Sequence, residues 1–259
     1  MLKDAKRIVF KVGTSTLTYK TGKANIRAIK AIAEVLSDIQ NSGIQVVLVT
    51  SAAISIGAVK LGLSERPKDT PGRQAAATVG QCELMFLYDK FFGEYGNITG
   101  QLLLTKRDID DDECRQNLTN AFERLFKYNA IPIINENDSV AVDEVVYGDN
   151  DNLSAHVAKL VRADALIILS DIDGMFTANP EEDDNAVLIP VVENIDGEIE
   201  NAAGKSTSHC GTGGMATKIT AAKLATEAGI DTVVMNGSTP EDIYKLLEGR
   251  HVGTVFKAK

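Results

Sequence analysis

Short apolar runs alternate along the chain with longer segments in which apolar residues recur every three or four positions. Runs rich in Val, Ile and Leu predict strands at residues 7–11, 44–49, 98–104, 131–134, 166–169 and 232–235. The longer periodic segments predict helices at residues 26–40, 75–92, 117–127, 152–161, 216–228 and 240–247. Because most of these runs are continuously apolar and do not alternate with polar residues, we expect both faces of the sheet to be covered.

This alternation of strands and helices predicts an α/β fold, a three-layer αβα sandwich with an open, mainly parallel sheet. Two stretches depart from the rhythm. Residues 139–147 carry spaced valines and predict a short β-hairpin, whereas residues 177–185 are polar, contain Pro180 and predict an exposed loop. With no repeat and no evident linker, the 259 residues predict a single domain.

The amino-acid composition and net charge of the chain limit the kinds of molecule that it is expected to bind. Hydrophobic residues make up 44% of the chain, enough for a large core, and the scarcity of aromatics, with no Trp, makes that core aliphatic. The formal net charge is −9 and the pI is about 4.9. Because an acidic chain repels polyanions, we expect it to bind neither nucleic acid nor an anionic membrane.

The distribution of apolar residues and cysteines predicts a cytoplasmic location. No apolar run approaches the ~20 residues of a spanning helix, and no signal core follows the charged N-terminus. The three cysteines, Cys82, Cys114 and Cys210, are widely spaced and odd in number. They suit a reducing compartment better than a disulfide framework, and they form no CxxC pair for zinc.

Two lysines at opposite ends of the chain lie beside glycine turns. One is Lys11, in Lys11-Val12-Gly13-Thr14-Ser15, and the other is Lys218, which ends Gly211-Thr212-Gly213-Gly214-Met215-Ala216-Thr217-Lys218. Glycine turns let backbone N–H groups approach an anion, and the predicted helix after Gly214 adds the positive end of its dipole. Both segments therefore suit phosphate oxygens. Taken alone, the first is also what a surface lysine beside a β-turn would show.

Two acidic and amide-rich clusters lie between the lysines, at residues 135–138 and 148–152. Carboxylates suit the ammonium group of an amino acid, while amides suit its carboxylate. Each cluster alone could also close a turn or cap a helix. Ligands of open α/β sheets bind at the carboxyl ends of strands. Polar residues follow or end several predicted strands, and we expect them to share one crevice: Lys11, Ser51, Asn135 and Asp171.

Several other sites are disfavoured by spacing. Gly204-Lys205-Ser206 imitates the end of a Walker A loop, but the glycine that the motif requires at position 199 is Ile199. The turn after the first predicted strand lacks the further glycines of a dinucleotide fingerprint. The three histidines show no metal-ligand spacing, and we predict no metal site built from side chains.

The ordered set of motifs resembles the glutamate 5-kinase family, within the amino acid kinase superfamily. The motifs are Lys-Val-Gly-Thr-Ser, Ile-Asn-Glu-Asn-Asp, Gly-Asp-Asn-Asp-Asn-Leu-Ser-Ala and Gly-Thr-Gly-Gly-Met-Ala-Thr-Lys, and the resemblance runs from about residue 6 to residue 256. It implies transfer of a phosphoryl group from ATP, with Mg²⁺, to the γ-carboxylate of L-glutamate, the first step of proline biosynthesis. It also implies that the N-terminal half binds the amino acid and the C-terminal half binds ATP.

The resemblance assigns roles to matching positions. Lys11 and Lys218 would balance charge on the moving phosphoryl group, and Asp151 would hold the two lysines. Glutamate would be bound by a set of small polar residues: Ser51, Asp138 and Asn150, with Asn135 and Asp149 nearby. ATP would be bound by Lys11 and by two motifs: Ser170-Asp171 and Thr212-Gly213-Gly214-Met215-Ala216-Thr217-Lys218.

Two departures from the family pattern bear on function. Members usually read Ser-Gly-Ala where this chain has Ser51-Ala52-Ala53, so a Cβ at residue 52 could restrict the approach of glutamate. Many relatives carry a C-terminal PUA domain, and we expect properties that depend on it to be missing. The family also implies feedback inhibition by L-proline and a homo-oligomer, a dimer or tetramer.

Two other functions fit the same fold. One is a kinase for another small acid, such as aspartate or carbamate. The other is a non-catalytic sensor of ATP or an amino acid. The presence of both lysines and Asp151 favours catalysis, because a sensor needs no charge balance at a transition state.

Overall fold

The computed structural model describes residues 2–140, 150–180, 182–197, 199–200 and 214–259. The chain forms two compact units. One is Val12–Val146, and the other combines Met1–Lys11 with Tyr147–Lys259. The strands are β1 (Arg7–Val12), β2 (Gln45–Val49), β3 (Ile98–Leu104), β4 (Ala130–Glu136), β5 (Ala165–Ser170), β6 (Val191–Val192), β7 (Asp231–Asn236) and β8 (Thr254–Phe256). The helices are α1 (Thr14–Leu17), α2 (Ile26–Asn41), α3 (Ala53–Lys60), α4 (Thr70–Gly93), α5 (Lys106–Asp110), α6 (Asp112–Lys127), α7 (Asn150–Leu160), α8 (Met215–Thr226) and α9 (Asp242–Leu247).

In the unit Val12–Val146 the strand order is β3-β4-β2, and both pairings are parallel. The register places Val49 beside Ile134, and the Thr50 N–H donates to the Ile134 carbonyl at 2.8 Å. Ser51 and Asn135 therefore follow these paired residues at the carboxyl ends of neighbouring strands. The predicted placement of polar residues at strand ends holds for both.

In the other unit the order is β1-β5-β7-β8-β6. Strands β5 and β7 pair in parallel from Ala165 beside Asp231 to Ser170 beside Asn236, whereas β8 runs antiparallel to β7. All six residues of β5 are buried, so both of its faces are covered, as its continuous apolar run predicts. The α/β class with an open, mainly parallel sheet is confirmed.

Helix α4 crosses helix α3 through two glycines that allow the backbones to touch. A Cβ at Gly80 would overlap the Ala53 carbonyl, and a Cβ at Gly57 would overlap the Ala76 carbonyl. The helix propensity that Gly80 lowers is therefore offset by close packing, which a bulkier residue would prevent. This crossing fixes the part of α4 that carries Gln81.

The variant Gly80→Ala is expected to lose about 3 kcal/mol of unfolding free energy, because overpacking against a fixed backbone cannot relax easily. Urea unfolding measures the loss. Gly93→Ala is the matched control in the same helix, since nothing lies within 4 Å of its added Cβ. It should gain up to about 1 kcal/mol from helix propensity. Equal stabilities for the two variants would contradict the close crossing.

Several helices begin earlier than their apolar period predicts, because polar caps lie outside that period. Helix α4 starts at Thr70, where Asp69 accepts a hydrogen bond from the Gly72 N–H at 3.0 Å and Pro71 lies in the first turn. Helix α7 starts at Asn150, which puts Asp151 in its first turn. Residues 177–180 and 182–185 form no helix or strand, consistent with the predicted loop.

The predicted hairpin at 139–147 lies, beyond Val140, outside the described residues. Over the described ranges, no helix combines the length and apolarity needed to cross a membrane.

Candidate active site

One carboxylate joins the two lysines that the sequence singles out. Asp151 Oδ1 lies 2.7 Å from Lys11 Nζ, and Asp151 Oδ2 lies 3.2 Å from Lys218 Nζ. The Thr217 hydroxyl approaches the same Oδ2 at 3.0 Å. Side chains separated by two hundred residues of sequence thus meet at one group.

Three elements of a single unit deliver these side chains. Strand β1 carries Lys11, the first turn of α7 carries Asp151, and α8 carries Lys218 one turn after its N-cap, Gly214. The lysines are 3% and 5% exposed and Asp151 is 0% exposed. Each side chain comes from a buried, regular element, so its position is set by packing as well as by the ion pairs.

Burying these charges is costly unless they are paired. Asp151 pairs with both cations at once, and together the three groups carry one positive charge. A buried positive charge of this kind favours an anion, and most of all an anion that gains charge as it reacts. The site therefore suits stabilisation of a phosphoryl group in transfer.

The start of helix α8 adds a second feature suited to phosphate. Its N-cap, Gly214, has no side chain that could accept from the first N–H groups, and residues 215–217 form the first turn. The Thr217 hydroxyl lies 2.9 Å from the Gly214 carbonyl as well as beside Asp151. The start of a helix, with its positive dipole end, is a general site for anions.

The remaining residues assigned to ATP lie at the carboxyl end of β5 or outside the described ranges. Ser170 ends the strand and is 4% exposed; its hydroxyl donates to Asp171 Oδ1 at 3.1 Å. Asp171 is exposed, as a residue contacting ribose or a nucleotide-bound cation would be. Thr212 and Gly213 lie outside the described residues, and so does Asp149 on the substrate side.

The unit Val12–Val146, in the half of the chain that the sequence predicted to bind the amino acid, contains a cavity of about 310 Å³. Helix α4, strand β3, the end of β4 and the segment after it line the cavity. The end of β4 contributes Glu136, and the following segment contributes Asp138. Asp138 was assigned to glutamate from the sequence. Ser51 and Asn135 are buried at the neighbouring strand ends, and Asn150 begins α7.

Residue Ala52, directly after Ser51, has a left-handed backbone with φ of 78° and ψ of 2°. This conformation costs a residue with a Cβ about 1–2 kcal/mol. Ala52 is 7% exposed and serves as the N-cap of α3, where its carbonyl accepts from the Ile56 N–H. The turn geometry thus explains physically why glycine suits this position.

Sequence reasoning missed Gln81, which is buried on α4 and accepts a hydrogen bond from Asn135 Nδ2 at 2.8 Å. A signal was present, because Gln81 falls at helical spacing between the buried residues Ala77 and Leu84. A polar side chain on the apolar face of a helix indicates a specific hydrogen bond in the core.

A second missed pair, Thr50 and Tyr88, supports the end of β2. Their hydroxyl oxygens lie 2.8 Å apart in the core. Burial raises the pKa of the Tyr88 hydroxyl well above its usual range, against a smaller opposing effect of the Thr50 hydrogen bond. Tyr88 therefore acts here as a neutral group that fixes the strand end.

Comparison with known proteins places the chain among kinases. The family model for the amino acid kinase family matches residues 6–236. A glutamate 5-kinase of Clostridium tetani is 52% identical over 99% of this chain and 96% of its own length. The glutamate 5-kinases of Clostridium perfringens and Listeria innocua are 48% and 50% identical over all of this chain, which covers 97% and 95% of their lengths.

Solved structures support the same fold at low identity. Isopentenyl phosphate kinase of T. acidophilum matches with a TM-score of 0.65 and 20% identity, over 96% of this chain and 99% of that chain. UMP kinase of Bacillus anthracis matches with a TM-score of 0.64 and 16% identity, over 98% and 97%. From the family match and the full-length similarity to the glutamate 5-kinases, we conclude that this chain belongs to the amino acid kinase family.

Proposed function

We propose that this chain transfers the γ-phosphoryl group of ATP to the γ-carboxylate of L-glutamate, giving ADP and L-glutamyl 5-phosphate for proline biosynthesis. The observation that carries the proposal is the contact of one buried carboxylate, Asp151, with both Lys11 and Lys218. Full-length relatives at 48–52% identity, each a glutamate 5-kinase, support the choice of substrate.

The chemistry needs charge balance more than proton transfer. The γ-carboxylate of glutamate is ionised at neutral pH, so it attacks without a general base. Donor and acceptor are both anions, and their repulsion has to be offset while the phosphoryl group passes between them. Lys11 and Lys218 supply the compensating charge, and Asp151 keeps the two ammonium groups in place.

Nucleotide binding would use the start of α8, with the positive end of its dipole, and the polar side chains of Ser170 and Asp171 at the end of β5. Mg²⁺ usually binds through substrate phosphates and one or two carboxylates. The cation would therefore arrive with ATP. It would supply further positive charge at the phosphates, and Asp171 is the carboxylate best suited to meet it.

The direct test is release of ADP with L-glutamate, L-aspartate or no acceptor, with hydroxylamine present to trap an acyl phosphate. The proposal predicts turnover and hydroxamate only with glutamate. Turnover with aspartate in its place would identify a different acid kinase. Binding of ATP with no acceptor-dependent turnover would identify a sensor.

The variant Ala52→Gly is expected to gain about 0.5–1 kcal/mol of stability. Relief of the left-handed backbone outweighs the larger entropy of glycine in the unfolded chain. Removing the Cβ beside Ser51 should also lower the KM for glutamate. Thermal unfolding and steady-state kinetics measure the two effects.

Arg162→Gly is the control, because Arg162 also has a positive φ, 52°, but is exposed at the end of α7. It should gain stability with no change in the KM for glutamate. An unchanged KM in both variants would show that the Cβ of Ala52 does not limit acceptor binding.

The family relationship also leads us to propose inhibition by L-proline, assembly into a homo-oligomer and a cytoplasmic location. Inhibition would be measured as the dependence of turnover on proline at limiting glutamate. Assembly would be measured by light scattering. Neither inhibition by proline nor assembly is needed for the chemistry at Asp151.

A further inference from the structure

Two hydrogen bonds fix the orientation of two buried amides, that of Asn135 at the end of β4 and that of Gln81 on α4. The Glu136 N–H donates to Asn135 Oδ1 at 2.9 Å, so the other end of that amide is Nδ2. Asn135 Nδ2 then donates to Gln81 Oε1 at 2.8 Å. The backbone donor therefore decides which end of the Gln81 amide is oxygen and which is nitrogen.

This orientation leaves the Gln81 nitrogen without an acceptor among the described residues. Gln81 is 8% exposed, and burying an N–H group without an acceptor is unfavourable. An apolar side chain of similar size, such as methionine, would avoid that cost on the same apolar helix face. A buried donor with no protein acceptor indicates a partner from outside the chain.

Gln81 also lines the cavity of about 310 Å³, whose size suits a small amino acid. The carboxylates of Glu136 and Asp138 suit a ligand ammonium group. Among the described lining residues there is no lysine, arginine or histidine. A ligand carboxylate in this cavity must therefore be held by neutral donors, and the amide of Gln81 is such a donor.

We propose that Gln81 is a further substrate-binding residue, whose amide N–H donates to a carboxylate oxygen of the acceptor amino acid while its oxygen holds Asn135. The inference rests on the proposed function and adds a specificity-determining contact to it. Loss of a hydrogen bond to a charged group costs about 1.5–3 kcal/mol. The expected consequence is a rise of about 10- to 100-fold in the KM for glutamate.

Two substitutions separate the two ends of the amide. Gln81→Glu keeps an oxygen for Asn135 but removes the donor and adds a negative charge, whereas Gln81→Met removes both. Both variants are expected to raise the KM for glutamate, Gln81→Glu by more, with the KM for ATP changed less than about threefold. Gln116→Met is the control, because Gln116 is an exposed glutamine on α6 that bonds Asn120 and does not line the cavity; it should leave the KM for glutamate within about twofold.

A normal KM for Gln81→Glu with a raised KM for Gln81→Met would overturn the donor role and leave only support of Asn135. Normal KM values with altered melting temperatures would reduce Gln81 to a structural residue. Calorimetric titration of glutamate separates failure of the inference from failure of the proposed function. If the wild-type protein binds glutamate without turnover, the proposed function is wrong, and the affinities of the variants still test the role of Gln81. If the wild-type protein does not bind glutamate, both the proposed function and the inference are wrong.

Discussion

The Lys218→Met variant is expected to lose about a hundred- to a thousand-fold in kcat while remaining folded. Lys218 is buried and lies 3.2 Å from Asp151, and in the proposed mechanism its charge would balance the phosphoryl group as that group gains charge. Removing one preorganised donor from such a site typically has an effect of this size. Methionine keeps most of the side-chain volume, and Asp151 keeps its contact with Lys11. Steady-state release of ADP with glutamate measures the loss.

Lys223→Met is the matched control on the same helix. Lys223 pairs with Glu200 at 2.7 Å on the surface, with 43% of its side chain exposed. Its replacement should leave kcat within about twofold, because exposed ion pairs contribute little and lie outside the buried site. Comparable losses in both variants would mean that a change in helix α8, and not the buried charge, lowers the rate.

The Asp151→Asn variant is expected to lose about 3–5 kcal/mol of unfolding free energy together with most of its turnover. It leaves two buried ammonium groups without the carboxylate that they share, and breaking a buried ionic group by removing one partner typically costs this much. Adding Lys218→Met to Asp151→Asn should recover part of the stability, because one of the uncompensated charges is gone. Urea unfolding of the single and double variants measures both effects.

Asp242→Asn serves as the comparison for stability, since Asp242 pairs with Lys245 at 2.6 Å on α9 and keeps 30% of its side chain exposed. The Asp242→Asn variant should lose less than about 1 kcal/mol of unfolding free energy. If Asp151→Asn proved as mild, the three buried groups would not form a coupled ionic cluster. Strict additivity in the double variant would lead to the same conclusion.

Most strands could be predicted from sequence because their apolar runs are continuous. Strand β3 is the exception: it lies at the sheet edge, its run includes Thr99, Gly100 and Gln101, and only Leu104 is buried. The prediction for 98–104 has the bounds of β3. The prediction for 44–49 starts one residue before β2 and ends with it, and that for 131–134 starts one residue after β4 begins and ends two residues before β4 does. Helix starts were less predictable, because Asp69 and Asp111 cap α4 and α6 outside the apolar period. The short helix α5 has a capping box, Thr105 with Asp108, that hydrophobic periodicity does not detect.

The chemistry of the site was predictable as far as residue type and motif order allow. Lysines beside glycine turns indicate phosphate, but no spacing rule joins Lys11 to Asp151 across the chain. Their meeting depends on which strands and helices pack together, which is a tertiary property. Gln81 depends on the glycine crossing of α3 and α4 and on one backbone donor at Glu136. Contacts of that kind become visible only with coordinates.

The measurement that most directly tests the central claim is the single-turnover rate of acyl-phosphate formation in Lys11→Met, with the Kd for ATP measured alongside. Lys11 comes from the first strand, far in sequence from α8, and lies 2.7 Å from Asp151. If both ends of the chain supply charge to one transferring group, the rate falls at least about a hundredfold while the Kd changes less than about tenfold. A rate near that of wild type, with ATP bound normally, would contradict the account.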